Sequence, residues 1–244
     1  MQLKEKMIHI LAELKGHAPF TAFGALTGLL FMLIFRKIGQ PHATLLFTIF
    51  HPSHVLLSAM VTASMFILHK KRKSLLYILL IGYFGSVGIA TLSDSVIPFI
   101  GEKFLGLNVP RHSHSENHSE HSAATEEHEN EPELHLGFIK EWYIVHPAAF
   151  LGILIAYFLP HTKFPHAAHI LVSTWASAAH ILMNTAGNNM TIGAVVSIFV
   201  ILFIAVWLPC CVSDIVFPLL FADSDLKLKE QCSCHKLHSH SHID

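Results

Sequence analysis

His51-Pro52-Ser53-His54-Val55-Leu56-Leu57-Ser58 returns later in the chain as His166-Ala167-Ala168-His169-Ile170-Leu171-Val172-Ser173. Both read H-x-x-H-[VI]-L-x-S, and each opens an apolar run long enough to cross a bilayer as a helix. A second pair of motifs follows in the same order. Ser93-Asp94-Ser95-Val96-Ile97-Pro98 matches Ser213-Asp214-Ile215-Val216-Phe217-Pro218 as S-D-x-V-x-P. The interval from the first histidine to the aspartate is similar in the two halves. His17 and His146 form a weaker third echo. Two ordered motifs, both carrying ionisable residues, imply that the chain is an internal duplication.

Working outward from these motifs, six stretches read as membrane spans: residues 17–37, 43–69, 74–100, 145–160, 164–184 and 190–221. The fourth is short, and the sixth is expected to break at Pro209. Three spans per half is an odd number, so the second half enters the membrane from the opposite side. The expected fold is therefore all-α: a polytopic membrane protein of about six transmembrane helices, built as a 3+3 inverted-topology repeat. Residues 1–16 carry Lys4, Lys6 and Lys15 beside Leu3, Met7, Ile10, Leu11 and Leu14 at helical spacing, the pattern of an interfacial amphipathic helix. The two repeats then occupy 17–101 and 141–221. Between them, 102–140 is rich in histidine and glutamate and is expected to be disordered, and 222–244 forms a His/Cys-rich tail.

Composition agrees with this division. Of 244 residues, 52% are hydrophobic and 14% charged, which excludes an ordinary soluble domain. The formal net charge of −1 gives no field to attract nucleic acid. Histidine is the outlier, with 21 copies against 16 lysines and arginines. The basic residues set an orientation. With the N-terminus inside, Lys4, Lys6, Lys15, Lys70, Lys71, Arg72, Lys73, Lys163, Lys227, Lys229 and Lys236 collect on the cytoplasmic side. The other side keeps Arg36, Lys37, Lys103, Arg111 and Lys140. Both termini are then cytoplasmic, and the His-rich loop faces outside or the periplasm.

The chemistry lies in the repeated motifs. Histidines at i and i+3 share a helix face and can reach one ion, and a nearby aspartate offsets part of its charge. Such donor sets suit zinc, or nickel, cobalt, iron or manganese at higher coordination. The topology predicts His51, His54, Asp94 and His146 near the outer face, and His166, His169, Asp214 and His17 near the inner one. His180, Cys210 and Cys211 are secondary candidates. The bland alternatives are interfacial histidines, helix-capping aspartates and inert buried thiols. Loop residues His112, His114, His118, His121, His128 and His135, with the tail's Cys232-Ser233-Cys234-His235, add flexible metal-binding tracts. A His-rich loop between spans resembles that of the zinc/iron-regulated transporter-like family, and the resemblance is confined to that loop.

The leading expectation is a transporter for a divalent transition-metal ion, zinc first, working by alternating access between the two clusters. Its partners are the metal ion and the lipid bilayer, with homo-oligomerisation left open. An intramembrane zinc-dependent hydrolase is the second reading, although the chain has no H-E-x-x-H. A haem-binding membrane protein is the third.

Overall fold

Neither Gly16 nor Pro19 interrupts the first helix. In the computed structural model α1 runs from Gln2 to Phe35, so the segment expected at 1–16 and the first span form one rod. The structure describes residues 2–69, 74–105, 134–160, 163–185 and 191–212. All regular structure among them is helical, and they contain no strand.

Helix α2 spans Gln40–His69, 30 residues. Pro41 lies in its first turn, where no N–H partner is needed. The helix begins well upstream of His51, so the first H-x-x-H pair sits at mid-length and not at the outer end that the sequence had suggested. Pro52 withholds an N–H from the carbonyl of Thr48 and loosens the ladder beside both histidines. The next rod is composite: α3 (Leu75–Tyr83), a π turn (Phe84–Gly88), α4 (Ile89–Thr91), a second π turn (Leu92–Val96) and α5 (Ile97–Leu105). Pro98 cannot donate to the carbonyl of Asp94, and the Ile97 N–H instead reaches back five residues to Leu92. The π turn holds Ser93, Asp94 and Ser95 together inside the bundle.

After the break come α6 (Gly137–Lys140), α7 (Trp142–Phe158), α8 (Lys163–Thr185) and α9 (Ile192–Cys211). Thr191 caps α9, its hydroxyl accepting the Ala194 N–H at 3.2 Å. Pro209 lies inside α9 without ending it at that residue.

Helix α2 is central, packed along α8 and α7, while α1 covers α8 and α9. Phe47 meets His180 and, further along, His54 meets His169, so α2 and α8 run antiparallel. Buried apolar side chains form four clusters among the described residues, two of them larger than the others. One gathers Met32, Phe47, Leu182, Ile198 and Leu202; the other gathers Ala63, Phe66, Ile78 and Ile153. Close approach of α7 to α2 depends on Gly152, where a Cβ would lie 2.3 Å from the Leu56 carbonyl oxygen.

The interior also holds a polar group: His51, His54, Asp94, His169, Ser173 and Ser177 are all buried. Large apolar side chains such as Phe23, Leu30, Leu45, Phe150 and Leu154 are exposed. A water-soluble protein does not distribute its residues this way; a membrane protein does, with polar groups turned inward. Four helical stretches among the described residues are long and apolar enough to cross a membrane: Lys15–Phe35, Gln40–Leu68, Leu75–Phe104 and Ile192–Cys210. The apolar helix Trp142–Phe158 is shorter, and α8 has the length, 23 residues, but not the apolarity.

Of the segment 102–140, expected from sequence to be disordered, residues 102–105 and 134–140 are among those described. Its two ends belong to the bundle, since α5 continues through Glu102 and residues 134–140 fold back over α2. Composition averaged over the whole segment hid a few polar residues that find buried partners.

Candidate metal centre

The centre is built around one carboxylate. On α2, His51 and His54 lie three residues apart on the face that meets the π turn carrying Asp94. Both rings point Nδ1 at the same oxygen, Oδ2 of Asp94, at 2.9 and 2.8 Å. The other oxygen, Oδ1, accepts the Ser173 hydroxyl at 3.1 Å. Ser173 and Ser93 hydroxyls are 2.7 Å apart, and Ser177 donates to the Ser93 and Ser173 carbonyls at 3.1 and 2.9 Å. An ionised carboxylate only accepts hydrogen bonds, so each neutral imidazole carries its proton on Nδ1 and keeps a lone pair on Nε2. This carboxylate–histidine arrangement is the one that orients a metal-ligating imidazole.

From His54 the centre extends into the second half of the chain. Its ring stacks on that of His169, centroids 5.1 Å apart and planes 10° from parallel. Cys210, brought in by α9, places Sγ 4.0 Å from His54 Nε2 and 3.9 Å from Ser173 Oγ. One ligand atom from each of His54, His169 and Cys210 lies within 4.8 Å of the other two, and all three residues are buried. Two nitrogens and a sulfur suit zinc, with a fourth position left for a water or another donor. Further along, His166 packs edge-on against His169, and His17 against His166, with centroids 5.7 and 4.7 Å apart. A line of imidazoles thus runs His51, His54, His169, His166, His17.

Each residue expected from sequence can now be located. His51, His54 and Asp94 come together. His166, His169 and His17 do too, but the two groups meet each other through His54 and His169 and do not lie apart at opposite faces. The reason is the mid-helix position of the first pair and the antiparallel crossing of α2 and α8. His146 leaves the group; its Nδ1 pairs with the Tyr83 hydroxyl at 3.0 Å. His180 faces Glu102, Nδ1 to Oε1 at 3.4 Å, while Asn184 donates to Glu102 Oε2 at 2.6 Å. Cys210 moves from secondary candidate to the centre itself. Asp214, the Cys211 side chain, the tail residues and loop histidines 112–128 lie outside the described residues.

Sequence reading missed the roles of four contributors. Ser173 was visible as the last letter of the repeated motif, although its role as a donor to Asp94 was not. Glu102 sat in a segment whose average polarity resembled a solvated loop, His135 was read only as part of that segment's flexible metal-binding tract, and Glu141, just beyond it, carried no signal. His135 Nε2 pairs with Glu141 Oε1 at 2.6 Å, both buried.

No family model, curated protein or solved structure matches this chain.

Proposed function

We propose that this chain is a membrane transporter for a divalent transition-metal ion, with zinc the first candidate cargo. The observation that carries the reading is the buried His54–His169–Cys210 group backed by the Asp94 carboxylate. A cation held there would meet one thiolate at contact and one carboxylate behind His54, two negative charges against its two positive ones. Such compensation is what a dication needs in a low-dielectric interior. Cys210 adds softness that favours zinc over magnesium or calcium. Thiol and imidazole protons must leave for the ion to bind, so loading is opposed by acid.

In this proposal the architecture is six spans in a 3+3 inverted repeat, with N- and C-termini cytoplasmic and the His-rich segment outside. The antiparallel crossing of α2 and α8 supports it: equivalent motifs of the two halves meet at His54 and His169, as a two-fold axis in the membrane plane would require. The ion site would lie on that axis, with alternating access arising as one half rocks against the other.

Three protein ligands with one open position also occur in catalytic zinc sites, which is the single observation favouring an intramembrane hydrolase. Against it, both oxygens of Asp94 are engaged by His51, His54 and Ser173, so that carboxylate serves to orient the imidazoles and is not poised as a base. Haem ligation fits worse, because axial imidazoles face one another across an iron and the His54 and His169 rings instead stack in contact.

The test is zinc uptake into proteoliposomes by the full chain beside its His54→Ala and Cys210→Ser variants. The transport reading expects both variants to lose about tenfold or more in apparent affinity or rate. Equal uptake by all three proteins would remove it.

A further inference from the structure

His51 has a second side. Its Nδ1 is committed to Asp94, and its Nε2, on the far side of the ring, is buried with no hydrogen-bond partner among the described residues. Oε2 of Glu141 is buried and unpartnered in the same sense. Both atoms lie against Gly137. A Cβ at residue 137 would clash with the His51 ring, at 2.7 Å from its Nε2, and lie 3.3 Å from Glu141 Oε2, so the two side chains can close over this backbone only because the residue is glycine. Behind it, the other oxygen of Glu141 accepts from His135 at 2.6 Å, which fixes the carboxylate's direction. All three side chains are at least nine-tenths buried.

The chemistry there is one-sided. With its proton on Nδ1, His51 presents Nε2 as a lone pair, and a carboxylate oxygen is likewise only an acceptor. Two buried acceptors beside the same glycine are each left uncompensated for their lost hydration unless something positive lies between them. Phe47 adds apolar cover beside the pair, its ring stacked on that of His51 at 5.0 Å and edge-on to His135 at 5.2 Å.

We infer that His51 and Glu141, with His135 behind them, form a second station for the same divalent cation, at the point where the His-rich segment re-enters the bundle. The inference rests on reading the buried His54–His169–Cys210 centre as a cation site. The second station is of nitrogen and oxygen donors alone, suited to a partly hydrated ion on its way in or out. The two stations share one carboxylate: Asp94 Oδ2 accepts from His51 of the second and His54 of the first. Loading either station therefore changes the charge felt at the other.

Cobalt(II) is the probe, bound to the full-length protein in detergent and followed by equilibrium dialysis and absorption. A thiolate–cobalt charge-transfer band reports the Cys210 centre alone. The inference expects Glu141→Gln, which keeps the shape of the side chain, to bind about one cobalt fewer per chain than wild type while retaining that band. Gly137→Ala, whose methyl collides with the His51 ring and pushes Nε2 out of place, should do the same. Cys210→Ser should lose the band and keep the ion that Glu141→Gln loses. Histidines of the loop and tail contribute equally to every variant, so the difference reads the station. A wild-type band together with unchanged cobalt content in both Glu141→Gln and Gly137→Ala overturns the second station and leaves the transport reading standing, as when a water or proton fills the gap. Absence of the band in wild type overturns both.

Discussion

The imidazole of His54 lies face to face with that of His169, their centroids 5.1 Å apart and their planes within 10° of parallel. Two neutral rings stack comfortably at that spacing; two imidazolium ions, buried together, repel. Beside them Cys210 must give up its proton before it binds metal as a thiolate. Lowering the pH therefore works against the ion at both nitrogens and at the sulfur. Zinc uptake in proteoliposomes should fall as the pH is lowered from neutral into the acid range, because protons compete with the ion for the same donor atoms. A flat profile across that range would show that these groups do not hold the cargo.

Asp94→Asn keeps the side-chain volume and removes the charge. The amide offers one acceptor where two imidazoles and a serine now donate, and its NH2 faces a donor. His51 or His54 must turn or change tautomer, moving the lone pair away from Nε2. Zinc affinity measured by competition with a chromophoric chelator should drop about 10–100-fold. Ser173→Ala, which removes a single hydrogen bond to the same carboxylate, should drop it less. An Asp94→Asn protein that binds zinc as tightly as wild type would mean that the carboxylate only supports the fold.

Cys210 is buried in the centre, with its sulfur near both His54 and Ser173. Saturating zinc should slow its alkylation by a membrane-permeant maleimide, read by peptide mass spectrometry, and the protection should vanish in His169→Ala. Protection that survives His169→Ala would place the ion elsewhere.

Gly152 lets α7 touch α2 between the first histidine pair and Ser58. Its Cβ would lie 2.3 Å from the Leu56 carbonyl oxygen and 2.9 Å from Ala59 Cβ. Gly152→Ala forces the helices apart and should destabilise the bundle by about 1–3 kcal/mol. A lowered thermal midpoint in detergent is the readout. An unchanged midpoint would show that the α2–α7 contact yields without strain.

Glu102 is buried with His180 and Asn184 as its hydrogen-bonding partners among the described residues. Glu102→Ala leaves an imidazole and an amide without their acceptor, at a cost of about 1–3 kcal/mol. Glu102→Gln retains an acceptor for Asn184 and should lose less. Chemical denaturation followed by tryptophan fluorescence separates the two variants; equal losses would assign the effect to charge instead of hydrogen bonding.

Several of these residues were legible early, and others were not, for definable reasons. His51, His54 and Asp94 stood out because ionisable groups in an apolar run are costly and recurred in order. His169 followed from the same repeat. Cys210 had no counterpart in the first half, where Ala90 occupies the matching place, so symmetry gave no reason to promote it. Glu102 and His135 were lost in a window whose many glutamates and histidines made each one look solvated, and Glu141 stood at its edge with no motif around it.

What the amino-acid order determined by itself was the helical, membrane-like class of molecule and the recurring H-x-x-H and S-D-x-V-x-P motifs: apolar runs of spanning length need backbone hydrogen bonds closed within the segment, so they become helices. Only the tertiary structure decided which donors share a centre. That choice depends on where along α2 the first pair falls, on the antiparallel crossing with α8, and on the π turn that rotates Asp94 inward. These are matters of register between helices, set by close packing at positions such as Gly152, and a pattern read along one chain carries no measure of them.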